Sequence, residues 1–79
     1  MESKKEIDQR RIRIIESSII REMKTFKVFK ASVLYERVKL AVKPLLNKLA
    51  TSEEISLRID YLIEQEYLEA KENLLYYIT

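Results

Sequence analysis

Ile12, Ile15, Ile19 and Met23 recur at spacings of three and four, with Ile20 beside them. Only an α-helix gathers residues spaced this way onto one face, so residues 4–24 are predicted to form an amphipathic helix with one buried stripe. Arg10, Arg13, Arg21 and Glu22 fall on its opposite side, and Ser17 and Ser18 are small enough to let another element approach. Then the rhythm changes. Phe26, Val28 and Phe29 alternate imperfectly with Lys27 and Lys30, which predicts a short extended segment over 26–30.

The helical period returns from Ala31. Val33, Leu34 and Val38, continued by Leu40 or Ala41, form the stripe of a second helix over 31–43, with Ser32 as its expected N-cap. Pro44 removes a backbone donor and interrupts that helix, leaving KPLLNKLA as a connection with some helical turn in it. Thr51 and Glu54 have the spacing of a capping box, in which hydroxyl and carboxylate each satisfy an orphan backbone N–H. A third helix is therefore expected over 51–66, burying Ile55, Ile59, Leu62 and Ile63. Two β-prone runs, YLEA and LLYYIT, flank KEN and predict a hairpin over 67–79. With no glycine in the chain, Asn73 is the expected left-handed residue of its turn.

Helix, short strand, helix, helix, strand, strand is the order of a winged helix: a mainly α (α+β) fold with a three-helix core and a small antiparallel sheet. The 79 residues make one domain, at the small end of what folds alone, and the isolated domain is expected to be monomeric.

Composition narrows the chemistry. There is no cysteine, no histidine and no glycine. The usual zinc ligands, the usual general base, thiolate nucleophiles and Gly-rich phosphate cradles are thus all missing, so an autonomous active site is not expected, nor a metal site or a cofactor. The carboxylates Glu53, Glu54, Asp60, Glu64 and Glu66 read as a solvated helix face. No apolar run approaches the roughly 20 residues of a membrane span, and the polar start MESKKEIDQRR is unlike a signal peptide, so a cytoplasmic or nuclear location is expected. Charge is uneven along the chain. Residues 1–30 carry nine basic and five acidic side chains, +4; residues 31–50 four and one, +3; residues 51–79 two and seven, −5.

Two segments, SSIIREMKTFKVFK and LIEQEYLEAKENLLYYIT, resemble the C-terminal winged-helix domain of cullins, the scaffolds of multisubunit RING ubiquitin ligases. That family shows an apolar helix ending Ile-Val-Arg-Ile-Met-Lys, then a basic strand, and closes with Leu-Ile-Glu-Lys-Glu-Tyr-Leu-Glu and a Tyr-rich strand. The likeness runs from about Ile15 to Thr79 and is most specific at Arg21, Met23 and Lys24 and across Leu62–Glu69. Glu22 departs from it where an isoleucine is usual, Thr25-Phe26 replaces a basic pair, and the KEN loop is short. The resemblance implies that Lys24 accepts a ubiquitin-like modifier through an isopeptide bond (neddylation), with Arg21, Met23 and Lys27 as flanking recognition residues. It also implies a RING subunit, a conjugating enzyme and the modifier as partners, and a scaffold role without catalysis.

Without that resemblance, Lys24 is a cation at a helix C-terminus, where it complements the dipole by about 0.3–1 kcal/mol. Lys27 and Lys30 read as outward positions on a strand, or as reserve acceptors. Tyr67, Tyr76 and Tyr77 read as wing packing rather than as a nucleic-acid stacking platform. A DNA-binding or adaptor winged helix is the alternative function. Against DNA binding, residues 51–66 set Arg58 alone against five carboxylates, −4, on the helix that such proteins usually place in the major groove.

Overall fold

The computed structural model describes residues 9–78. Along the chain come α1 (Gln9–Phe26), β1 (Val28–Lys30), α2 (Ala31–Val42), a 3-10 turn (Lys43–Leu45), α3 (Ser52–Glu64), β2 (Leu68–Lys71) and β3 (Leu74–Tyr77). The strands form one antiparallel sheet in the order β1-β3-β2, with Val28 opposite Tyr76 and Leu68 opposite Tyr77. The last strand of the chain is therefore the central one, and it ties the segment after α1 to the hairpin.

One core holds these elements together. From α1 come Ile15, Ile19 and Met23; from α2 Leu34, Val38 and Val42; from α3 Ile55, Ile59 and Leu62; from the sheet Phe29, Leu68 and Leu75. The α1 stripe holds as expected, except that Ile12 is only half-buried while Ser18 is buried. In α2 the stripe continues one residue beyond the expected place: Val42 is buried, whereas Leu40, Ala41 and Val33 are exposed. Leu34, Val38 and Val42 lie four apart, so they stack along one face.

How the helices end corrects several sequence-based boundaries. Residues 4–8 of the first expected helix lie outside the described residues, and its far end is Phe26, not Lys24. Thr25 and Phe26 stay helical because the Thr25 hydroxyl donates to the Arg21 carbonyl at 2.9 Å and Lys27 N–H to the Met23 carbonyl at 2.7 Å. Lys27 is left-handed, φ 70°, so it caps α1 rather than belonging to a strand. The third helix stops at Glu64 instead of Glu66. Glu66 N–H reaches the Ile63 carbonyl and Tyr67 N–H the Leu62 carbonyl, the paired bonds of a Schellman motif centred on Glu66 at φ 68°. The hairpin turn takes its positive φ at Glu72 (58°), not at Asn73. Lacking glycine, the chain puts a β-carbon at each of the three left-handed positions among the described residues, at a cost of about 1–2 kcal/mol each.

The start of α2 also differs. It begins at Ala31 with Lys30 as N-cap and no side-chain cap, so Ser32 is not the capping residue. Instead the Ala31 N–H donates to the Asn73 carbonyl at 3.3 Å, and the wing turn satisfies a donor that the local sequence leaves orphaned.

At α3 the expected capping box is present: Glu54 N–H donates to Thr51 Oγ1 and Thr51 N–H to Glu54 Oε1, both 3.1 Å. The same carboxylate takes Arg11 from α1, at 2.5 Å from Nε and 2.7 Å from Nη2, and Arg11 also donates to the Lys48 and Leu49 carbonyls. Arg11 holds the Glu54 carboxyl below its usual value of 4.5, helped by the Thr51 N–H and opposed by partial burial. A carboxyl whose folded value is depressed contributes stability above the unfolded value and loses it as pH falls through the folded one. Wild type is therefore expected to lose its advantage over Glu54→Gln as pH drops below 4.5, read from paired thermal melts at pH 7 and in acid. Parallel pH profiles for the two proteins would contradict the clamp.

Candidate functional site

The last turn of α1 combines an ordered backbone with an accessible amine. Met23 is fully buried and its carbonyl accepts the capping bond from Lys27, so core and cap both fix this turn. One residue on, about 100° around the helix, Lys24 turns outward and is exposed, as is Arg21. Neither has an ion-pair partner among the described residues.

Lys24 stands at the rim of an open groove of about 590 Å³. Glu16, Ser17, Ile20 and Arg21 line it from α1, facing Leu62 of α3, Tyr67 before β2 and Tyr77 at the end of β3. Its carboxylate, Glu16, already accepts from Arg58 Nη1 at 2.8 Å. The groove thus has an apolar and aromatic floor with Arg21 and Lys24 as its uncompensated charges. Tyr77 is partly buried against the core and the Tyr76 ring half-buried, whereas Tyr67 is exposed and does not pack the wing as the sequence suggests.

The structure separates Lys27 from Lys24. Because Lys27 is left-handed, its side chain leaves the helix line, and its ammonium lies over the Tyr77 ring at 5.1 Å from the centroid. The Lys27 carbonyl also accepts from Tyr77 N–H at 2.9 Å. Lys30, at the end of β1, is exposed as expected.

Two side chains that depart from the cullin-like pattern, Glu22 and Phe26, converge on Arg37 of α2. Arg37 Nε donates to Glu22 Oε1 at 2.6 Å, and its guanidinium lies 4.8 Å from the Phe26 ring centroid and 5.8 Å from that of Phe29. Phe26 meets Phe29 edge to face at 5.3 Å. Glu22 is consequently half-buried, not on a solvent face. This cluster clasps the final turn of α1 to α2 on the side away from the groove. Arg37 and Tyr77 were missed as site residues from sequence. The unusual Glu22 was the signal for the first; a lysine three residues beyond Lys24 carried no signal for the second.

Other sites are weaker. Among the described residues no three His, Cys, Asp or Glu side chains gather to hold a metal, and no helix is long and apolar enough to cross a membrane. On α3, Arg58 is committed to Glu16 and lies over Tyr61 at 5.2 Å, so the helix offers a duplex little but carboxylates. Titration with duplex DNA at near-physiological salt is expected to show no saturable tight binding. Nanomolar affinity that falls on Arg58→Ala would contradict this.

Three α-helices and a three-stranded antiparallel sheet in this order define a winged helix. No family model and no curated protein matches the chain. Among solved structures it is similar to Cdc53(WHB) in the complex Dcn1(P)-Cdc53(WHB), which addresses a dual E3 mechanism for Rub1 ligation to Cdc53. The TM-score is 0.86 at 22% identity, over 96% of this chain and 88% of that one. The shared feature at this identity is the winged-helix fold.

Proposed function

We propose that this chain is the C-terminal winged-helix domain of a cullin-type scaffold in a RING ubiquitin ligase, and that Lys24 accepts a ubiquitin-like modifier. One observation carries the reading. The Arg21-x-Met23-Lys24 stretch, where the cullin resemblance is most specific, leads into the last turn of α1, which buries Met23 and exposes Lys24. The likeness to Cdc53(WHB), itself described in the setting of Rub1 ligation, supports the same assignment.

In this reading the domain is a substrate, and the chemistry belongs to a conjugating enzyme carrying the modifier as a cysteine thioester. The Lys24 nitrogen attacks the thioester carbonyl. A C–N bond forms, the C–S bond breaks, the sulfur leaves as the conjugating enzyme's thiolate, and the one proton that the amine sheds passes to a base on that enzyme or to water. The domain contributes position: a fixed backbone and a side chain free to enter the enzyme's site. A RING subunit, the conjugating enzyme, the modifier and a Dcn1-like protein are the partners, and cytoplasm or nucleus the location. Attachment acts by favouring one arrangement of the domain on its scaffold over another.

The test is reconstituted conjugation with activating enzyme, conjugating enzyme and RING subunit, followed by mass spectrometry of the digest. A branched peptide at Lys24 is the expected product. Its absence from a conjugated sample would overturn the site.

A further inference from the structure

Lys24 and Lys27 are both exposed and three residues apart, yet only Lys27 has a ring beneath its ammonium. We propose that Tyr77 is a specificity-determining residue, holding the Lys27 amine against its ring so that Lys24 is the reactive lysine of the pair. As a statement about acceptor choice, this rests on the function proposed above. As a statement about amine reactivity, it stands without it.

Three features place Tyr77 in this role. Its backbone N–H donates to the Lys27 carbonyl at 2.9 Å, so the last pairing of β3 keeps residues 77 and 27 adjacent whatever the side chain at 77. The left-handed φ of Lys27 sends that side chain out of the helical path and toward β3. Finally, Tyr77 lines the same groove as Lys24, yet its ring engages the ammonium of Lys27 and not that of Lys24. A cation over an aromatic face is attracted to the ring quadrupole, by an amount that at exposed sites corresponds to about two- to fivefold in population. To attack an acyl carbon, the Lys27 nitrogen must first leave the ring; that of Lys24 has no such step.

The experiment compares wild type, Tyr77→Phe and Tyr77→Leu under limiting N-hydroxysuccinimide acetate, with acetylation at Lys24 and Lys27 quantified by mass spectrometry. Phenylalanine keeps the quadrupole, whereas leucine keeps apolar bulk without it. The Lys27:Lys24 ratio is expected to rise about two- to fivefold in Tyr77→Leu and to stay at the wild-type value in Tyr77→Phe. An unchanged ratio in a folded Tyr77→Leu overturns the proposal. Wild-type NMR provides a measurement that needs no variant: the ε-methylene protons of Lys27 are expected upfield of those of Lys24 through the ring current, and coincident shifts overturn the proposal equally.

Enzymatic conjugation separates the two claims. In a Lys24→Arg background, Tyr77→Leu is expected to increase conjugation at Lys27. If acetylation shifts to Lys27 while wild type is never conjugated, the ring's effect on reactivity stands and the acceptor function falls.

Discussion

Lys24→Arg is expected to abolish the conjugate that wild type forms, while Lys27→Arg leaves most of it. Arginine keeps the positive charge near the C-terminus of α1 and a comparable helix propensity, so the last turn, its Met23 anchor and the dipole interaction persist. What it lacks is an amine that can form the isopeptide. Loss in Lys24→Arg alone therefore reports the acceptor and not the fold. Lys27→Arg is the matched control: it alters the capping residue and the cation over Tyr77 yet leaves the Lys24 amine in place. Modification of Lys24→Arg at the wild-type rate would remove Lys24 from the role, and conjugation lost equally in both variants would point to docking instead of acceptance.

Ile19→Ala is expected to cost about 2–5 kcal/mol of stability, and Ile59→Ala a similar amount. Ile19 is fully buried and Ile59 is 4% exposed, on the facing stripes of α1 and α3. Truncation removes burial and leaves a cavity that two helices held by the Arg11–Glu54 and Arg58–Glu16 pairs cannot readily close. In a 79-residue domain that is a large share of the whole stability. Denaturant midpoints read the loss directly, and a midpoint unchanged by both substitutions would contradict the core.

Features written in a few consecutive residues were legible before the structure. Thr51 and Glu54 announce the start of α3 because both capping bonds close within four residues. The α1 stripe and the exposure of Lys24 likewise follow from helical period alone. Where the α2 stripe ended was harder to place, because Leu40, Ala41 and Val42 are all apolar and only the packing against α1 and α3 selects Val42.

The amino-acid pattern by itself determined the three helices, the hairpin, their order and the outward direction of Lys24, since each depends on periodicity or on bonds between near neighbours. Tertiary structure decided the rest through partners distant in sequence. Asn73 caps α2, Arg37 draws Glu22 off the solvent face and lies over the Phe26 ring, and Tyr77 takes both the carbonyl and the ammonium of Lys27. No local rule places residue 77 beside residue 27. Only the closing strand does so, because β3 must sit between β1 and β2 for its backbone donors and acceptors to be paired on both sides.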